Sequence, residues 1–318
     1  MAQEANLNDI RIVRVYDAPV KAVWDAWTDP NRLAKWWGPR GFSITTHSKD
    51  LRAGGHWKLT LHGPDGTNFP NYIKYIEVGT HSKLIYDHGG VEEQLPMFRV
   101  SVVFTESNGK TQMDMIMTLP TPEAAAETKK NIKKFDGYST WDRLAEYLAH
   151  ELTGKNQFVI NRVFDAPLEL MYEMWTNPKQ FENWLPPTGT TMEFIRADIR
   201  AGGNSFYCMS APGDVKIYGR AQYIETKKPN RIVYTQQFVD KDERISRHPF
   251  APTWPETMLT TVTLADEGLG RCRVTVLWEP HGAATAEELQ TFIAARAGMT
   301  GGWIGSFDKL DDYLRRQR

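Results

Sequence analysis

A set of short motifs occurs twice in this chain at one fixed spacing, and that repetition limits the fold more than any other feature. RVYDAP at 14–19 returns as RVFDAP at 162–167, and WTDP at 27–30 returns as WTNP at 175–178, both 148 residues later. The same offset carries KWWGP (35–39) onto NWLPP (183–187), LRAGG (51–55) onto IRAGG (199–203) and YIE (75–77) onto YIE (223–225). Five ungapped matches at one period mark a tandem duplication, with each copy a folding unit. GYSTWDRLAEYL at 137–148 then answers GWIGSFDKLDDYL at 302–314, with Trp141 over Phe307 at an offset of 166, so the second copy is longer by 18 residues. Most of that excess falls in 236–258, where Pro249, Pro252 and Pro255 break regular structure; the stretch is expected to be a loop, and a candidate lid. The copies are expected at 1–152 and 157–318, joined by the polar stretch TGKN at 153–156.

Within the first copy, IRIVRVY (10–16) alternates as a half-buried strand does, and Asp17-Ala18-Pro19 reads as an N-cap followed by a first-turn proline. Val20, Val23, Trp24 and Trp27 recur at helical spacing, and Asp29-Pro30 ends that helix and opens a second one reaching Trp36. HWKLTLH, YIKYIEV, KLIYDH, FRVSVVF and QMDMIMTL then alternate between turn signals, which predicts an antiparallel meander. A helical pattern over 122–151 carries Trp141, Leu144, Tyr147 and Leu148 on one face. The expected fold class is α+β: tandem domains, each a curved antiparallel sheet wrapped around a long C-terminal helix, with two short helices after the first strand. A helix lying over a concave sheet leaves a space suited to a small molecule.

Composition narrows the function classes. The 318 residues carry a net charge of −1, divided almost evenly between the halves, which argues against a nucleic-acid partner. No run of apolar residues is long enough for membrane insertion, and the first residues, MAQEANLNDIRIVRV, lack the basic start and apolar core of a signal peptide; a cytoplasmic protein is expected. Cys208 and Cys272 are too few for a disulfide framework and read as buried thiols. The histidines lack paired ligand spacing, so no metal and no cofactor is expected. No Ser-His-Asp order, phosphate-binding glycine loop, dinucleotide fingerprint or HExxH string occurs.

The expected lining of the space is apolar and aromatic. In the first copy it comprises Trp57, Tyr86, Phe98, Met113, Met115, Tyr138 and Trp141. Tyr207, Tyr234, Trp278, Trp303 and Phe307 are read as its counterparts in the second, with Trp254 of the insertion added. Trp36 and Trp37 read as plugs locking the short helices onto the sheet. The polar groups assigned inward are His88 and Asp114 in the first copy, and Glu279 and His281 in the second. A carboxyl or imidazole buried beside apolar walls could move protons, which makes these four the acid/base candidates.

The order of elements, with DAP, WTDP, KWWGP, RAGG and the closing GYSTWDRLAEYL, resembles the SRPBCC (START-like, birch-allergen-like) superfamily, and within it the branch of the activator of heat-shock protein 90 ATPase. The resemblance covers nearly the whole chain, twice. It implies a helix-grip fold with a deep hydrophobic pocket; relatives bind lipids, hormones or polyketides, and a few catalyse cyclisation or dehydration. NWLPP departs from the pattern, since Leu185 stands where the first copy has Trp37. Three functions follow as alternatives: binding of a small apolar molecule; an enzyme acting on a hydrophobic substrate by acid/base chemistry; and a co-chaperone-like or stress-response protein acting through its surface. A protein partner or a homodimer is left open.

Overall fold

Strand β1 (Asp9–Tyr16) buries Ile10, Ile12 and Tyr16 on one face, as period-two patterning demands. These coordinates are a computed structural model that describes residues 6–153, 156–268 and 270–317. The chain divides into two units, Met1–Thr153 and Gly154–Arg318. Of the expected linker, residues 154 and 155 lie outside the described residues.

In the first unit, helices α1 (Val20–Thr28) and α2 (Pro30–Trp36) follow β1. Asp29 caps α2 by accepting the Asn31 amide, and Pro30 sits in the first turn, where a missing N–H costs nothing. The cap expected from Asp17 is not made. Pro19 holds that position without a side-chain bond, and the Val20 amide instead donates to the Glu106 carboxylate at 2.8 Å, while Asp17 pairs with Lys110. Strands β2 (Ser43–Lys49), β3 (His56–His62), β4 (Asn68–Gly79), β5 (Lys83–Gly89), β6 (Phe98–Ser107) and β7 (Lys110–Thr118) form a fully antiparallel sheet ordered β1-β7-β6-β5-β4-β3-β2.

The second unit repeats the plan with β8 (Phe158–Phe164), α5 (Leu168–Thr176), α6 (Pro178–Trp184) and strands β9 (Thr191–Ala197), β10 (Asn204–Ala211), β11 (Val215–Lys227), β12 (Arg231–Val239), β13 (Met258–Gly268) and β14 (Arg271–Pro280). Its sheet order, β8-β14-β13-β12-β11-β10-β9, matches the first. The C-terminal helices differ. The second copy ends in one 31-residue helix, α7 (Ala286–Arg316), started by a capping box between Thr285 and Glu288. The single helix expected over 122–151 is two in the first copy, α3 (Pro122–Lys134) and α4 (Ser139–Thr153). A Schellman motif stops α3: Asp136 is left-handed at φ 52°, and the Gly137 amide donates to the Ile132 carbonyl at 2.7 Å.

Tryptophans fasten each C-terminal helix to the pair of short helices. The buried Trp36 indole donates to the Ala26 carbonyl and the buried Trp184 indole to the Met174 carbonyl, each at 3.0 Å. Trp27 stacks on Trp141 with centroids 5.5 Å apart and planes 10° apart; in the second copy Trp175 stacks on Trp303 at 6.0 Å and 23°. Trp36 and Trp37 both touch Trp141 of α4, and Trp37 also meets Trp57 of β3 edge-on at 5.1 Å, which joins the short helices to the sheet.

The two cores then fill the same frame differently. Leu59 and Asn71 of the first copy become Tyr207 and Gly219. Tyr207 and Gly219 are register partners, and a Cβ on Gly219 would lie 2.4 Å from the Tyr207 ring and hydroxyl. The ring therefore occupies the volume that Asn71 takes in the first copy. Gly219→Ala is expected to destabilise the second domain by about 1–3 kcal/mol, read from denaturant unfolding. Adding Tyr207→Leu is expected to recover most of that loss; an alanine tolerated without cost would contradict this packing.

Candidate functional site

Each sheet turns one row of register partners toward its C-terminal helix. In the first domain the row runs Tyr75, Tyr86, Val100, Met117, Ile10 across β4, β5, β6, β7 and β1. In the second it runs Tyr223, Tyr234, Thr260, Trp278, Phe158 across β11, β12, β13, β14 and β8. The tyrosine pair is retained, while the middle of the row changes from aliphatic to hydrogen-bonding. Thr260 is fully buried with its hydroxyl beside that of Tyr234, and the buried Trp278 Nε1 has no hydrogen-bond partner. The α7 backbone approaches most closely at α6 and the edge strand β8, not at the middle strands. Side chains bridge the distance between α7 and the middle of the sheet.

Most of the expected lining faces this interior. Trp57, Tyr86, Met113, Met115 and Trp141 are buried in the first core; Tyr234, Trp303 and Phe307 are buried in the second, with Tyr207 and Trp278 packed against it. Phe98 is half-buried and stacks on His88, with centroids 4.7 Å apart. Tyr138 does not join them: it lies in the break between α3 and α4 and is 38% exposed. The counterpart of Trp57 is Ser205 and not Tyr207, which answers Leu59. Trp303 plays the part of Trp141, reaching Trp175 from one turn before Phe307. Trp254 belongs to the insertion and packs edge-on against Phe292 of α7 at 5.7 Å. That insertion, residues 240–257, is also tied to α7 by Arg247 on Glu288 at 2.7 Å and Thr253 on Thr291 at 2.8 Å.

Of the four acid/base candidates, only His88 points inward. Asp114 alternates with Met113 and Met115, so it faces out, where Arg11 grips both its oxygens at 2.8 and 2.5 Å. Glu279 alternates with Trp278, faces the opposite side and accepts from Gln157 at 2.8 Å. His281 is exposed beyond the end of β14. His88 shares the parity of Tyr86 and its Nε2 lies 2.6 Å from Asn71 Oδ1, which puts the proton on Nε2 and leaves Nδ1 as an acceptor. Burial pulls its pKa down to about 4.

Inward cations escaped the sequence reading; one is Arg14, 3% exposed on the face of β1 that carries Ile12 and Tyr16. A β-bulge between Thr46 and Ser48 reverses the alternation of β2 and turns Lys49 into the first core. Its Nζ lies 4.2 Å from the Trp57 ring centroid and 5.0 Å from that of Tyr75, and it donates to the Tyr75 hydroxyl. Burial lowers the Lys49 pKa to about 7 and raises those of Tyr75 and Tyr86. In the second domain the position of Lys49 is Ala197, and Arg296 of α7 supplies the inward cation instead. Burial also raises the phenol pKa values there, that of Tyr223 to about 12.

Two clefts open on the opposite sheet faces. One of about 370 Å³ on the second sheet is lined by Arg196, Arg220, Gln222, Thr235, Gln237 and Glu243. One of about 130 Å³ on the first is lined by residues that include Lys58, Thr60, Tyr72 and Glu92. Their polar walls suit water better than an apolar molecule.

The family model described as "Activator of Hsp90 ATPase homolog 1-like protein" matches residues 17–149 and again 165–315. The chain belongs to this family. Among curated proteins nothing matches. Solved structures similar to this chain include protein Ms6760 from Mycobacterium smegmatis, at 22% identity over 51% of this chain and 91% of that one, with a TM-score of 0.43. Protein NE0264 from Nitrosomonas europaea is 25% identical over 47% of this chain and 99% of its own, also with a TM-score of 0.43. The di-domain ARO/CYC BexL from the BE-7585A biosynthetic pathway is 11% identical and covers 96% of this chain and 97% of its own, with a TM-score of 0.39. Among the described residues, no helix is long and apolar enough to cross a membrane.

The two inward bases of this family member's first domain give a direct test of how dry its interior is. By NMR titration of the folded chain, His88 is expected to ionise near pH 4 and Lys49 near pH 7. Values near the ordinary 6.5 and 10.5 would show a hydrated interior. Because only the unfolded chain binds the His88 proton between 6.5 and about 4, this group withdraws stability as pH falls through that window.

Proposed function

We propose that the second domain binds one small, largely apolar molecule between α7 and the inner face of its sheet. The observation that carries this reading is the change along the inner row. Where the first domain has Val100 and Met117, the second has the Thr260 hydroxyl, buried beside the Tyr234 hydroxyl, and the Trp278 indole, whose buried N–H has no partner. Threonine and valine have nearly the same shape, so the exchange adds only a buried hydroxyl, and the Trp278 N–H left without a partner costs roughly 1–3 kcal/mol. A ligand that accepts or donates along the row offsets that cost, and the aromatic walls supply the apolar contact. The duplication is an internal control, because the same frame without these groups stands in the first domain.

A catalytic reading has less support. Asp114, Glu279 and His281 lie away from the interior, and His88 stands in the domain whose row is aliphatic. Binding without chemistry needs none of them.

The test is a thermal-shift panel of neutral and charged apolar molecules on the full chain. At least one is expected to raise Tm, since a ligand that binds only the folded state stabilises it by mass action. Thr260→Val and Trp278→Phe are expected to shrink that shift, whereas Val100→Thr and Met117→Leu leave it intact. A panel without any shift, or a shift lost equally through the first-domain changes, would contradict the assignment.

A further inference from the structure

We infer that the ligand of the second domain carries a carboxylate, and that Arg296 receives it; this rests on the small-molecule reading above. Arg296 lies on the core-facing stripe of α7, four residues after the fully buried Phe292 and three before Met299, which packs on the same core. Its guanidinium carbon stands 5.8 Å from the Phe292 ring centroid. Its Nε and Nη2 are both buried, and neither has a hydrogen-bond partner in the protein. Arg296 as a whole is half-buried, and a guanidinium edge withdrawn from water without a partner is costly to keep.

Which nitrogens are unpaired identifies the ligand group. Nε and Nη2 share one edge of the guanidinium, with their N–H bonds side by side. This chain shows elsewhere what that edge holds. Arg99 donates Nε to Asp87 Oδ1 at 2.8 Å and Nη2 to Oδ2 at 3.0 Å, and Arg11 uses the same two nitrogens on Asp114. In both cases the acceptor is a carboxylate, whose two oxygens match the fork.

The position along α7 suits an acid with an apolar body. At one end Trp254 closes over Phe292; at the other Trp303 meets Trp278 edge-on at 5.5 Å. From Phe292 to Trp303 the helix rises about 16 Å, with Arg296 between. The C-terminal helices of the first domain place no such arginine there: Lys129, Lys130, Lys133 and Lys134 of α3 are exposed, and the inward cations of that domain, Lys49 and Arg14, stand on strands.

The experiment is calorimetry on the full-length chain with dodecanoate and naphthoate, each against its methyl ester. At least one acid is expected to bind about tenfold tighter than its ester or better. Arg296→Gln is expected to erase that preference and leave ester affinity unchanged. Equal binding of acid and ester, or a preference that survives in Arg296→Gln, overturns the carboxylate inference while the small-molecule reading stands. Binding of neither form contradicts that reading, and the inference falls with it. Thermal melting of Arg296→Met without ligand is the second measurement. Since the substitution keeps an apolar stem and removes an unpaired charge, Tm is expected to hold or rise. A fall of several degrees assigns Arg296 to the structure and overturns its ligand role.

Discussion

The grip in each domain depends on one aromatic contact: a tryptophan from the first short helix stacked on a tryptophan from the C-terminal helix. Trp27 on Trp141 and Trp175 on Trp303 fix where the C-terminal helix lies relative to the strands. Trp36 and Trp184, each bonded to a carbonyl of the preceding helix, keep the short helices from sliding. Each stacked pair removes a large apolar surface from water, and ring geometry adds about 0.5–1.5 kcal/mol. With the helix anchored at that end, the rest of the sheet's concave face is free to vary.

The two copies use that freedom in opposite ways. Positions that hold the frame are nearly unchanged, from RVYDAP and RVFDAP to the two RAGG turns. Interior positions change in compensating sets. Leu59 with Asn71 becomes Tyr207 with Gly219, so one ring takes the space of a side chain on the next strand. Lys49 and Trp57 become Ala197 and Ser205, so the lysine and the ring beneath it disappear together. Val100 and Met117 become Thr260 and Trp278, and α7 adds Arg296. The tyrosine pair alone persists in the middle of both rows. The first interior is the more aliphatic at its centre; the second carries the Thr260 hydroxyl and the Trp278 indole there.

Much of the frame was legible because it rests on local rules. Alternation gave away β1 and the meander, and Asp29-Pro30 marked the start of α2. The repeat offset transferred both to the second copy. What failed was set by long-range geometry. Glu106, distant in sequence, caps α1 in place of Asp17. The Schellman turn at Asp136 divides a helix whose apolar spacing continues across the break, and it leaves Tyr138 outside. Inward parity could not be read from strands with aromatics on both faces, so Asp114 and Glu279 were assigned to the wrong side of their sheets. Lys49 was invisible for a related reason: a bulge at Thr46 reverses the alternation, and nothing in SITTHSK announces it. Arg296 sits at core spacing on α7, yet a charged residue at such a position reads as a solvated one until its burial is seen.

The central claim is that the second domain holds a ligand that the first, built on the same frame, does not. Native mass spectrometry of the full chain purified from its own host, followed by denaturing release, tests this most directly. The account predicts a mass excess of one small molecule per chain, recovered as an apolar acid. Two equivalents per chain, or none at any protein concentration, would contradict it.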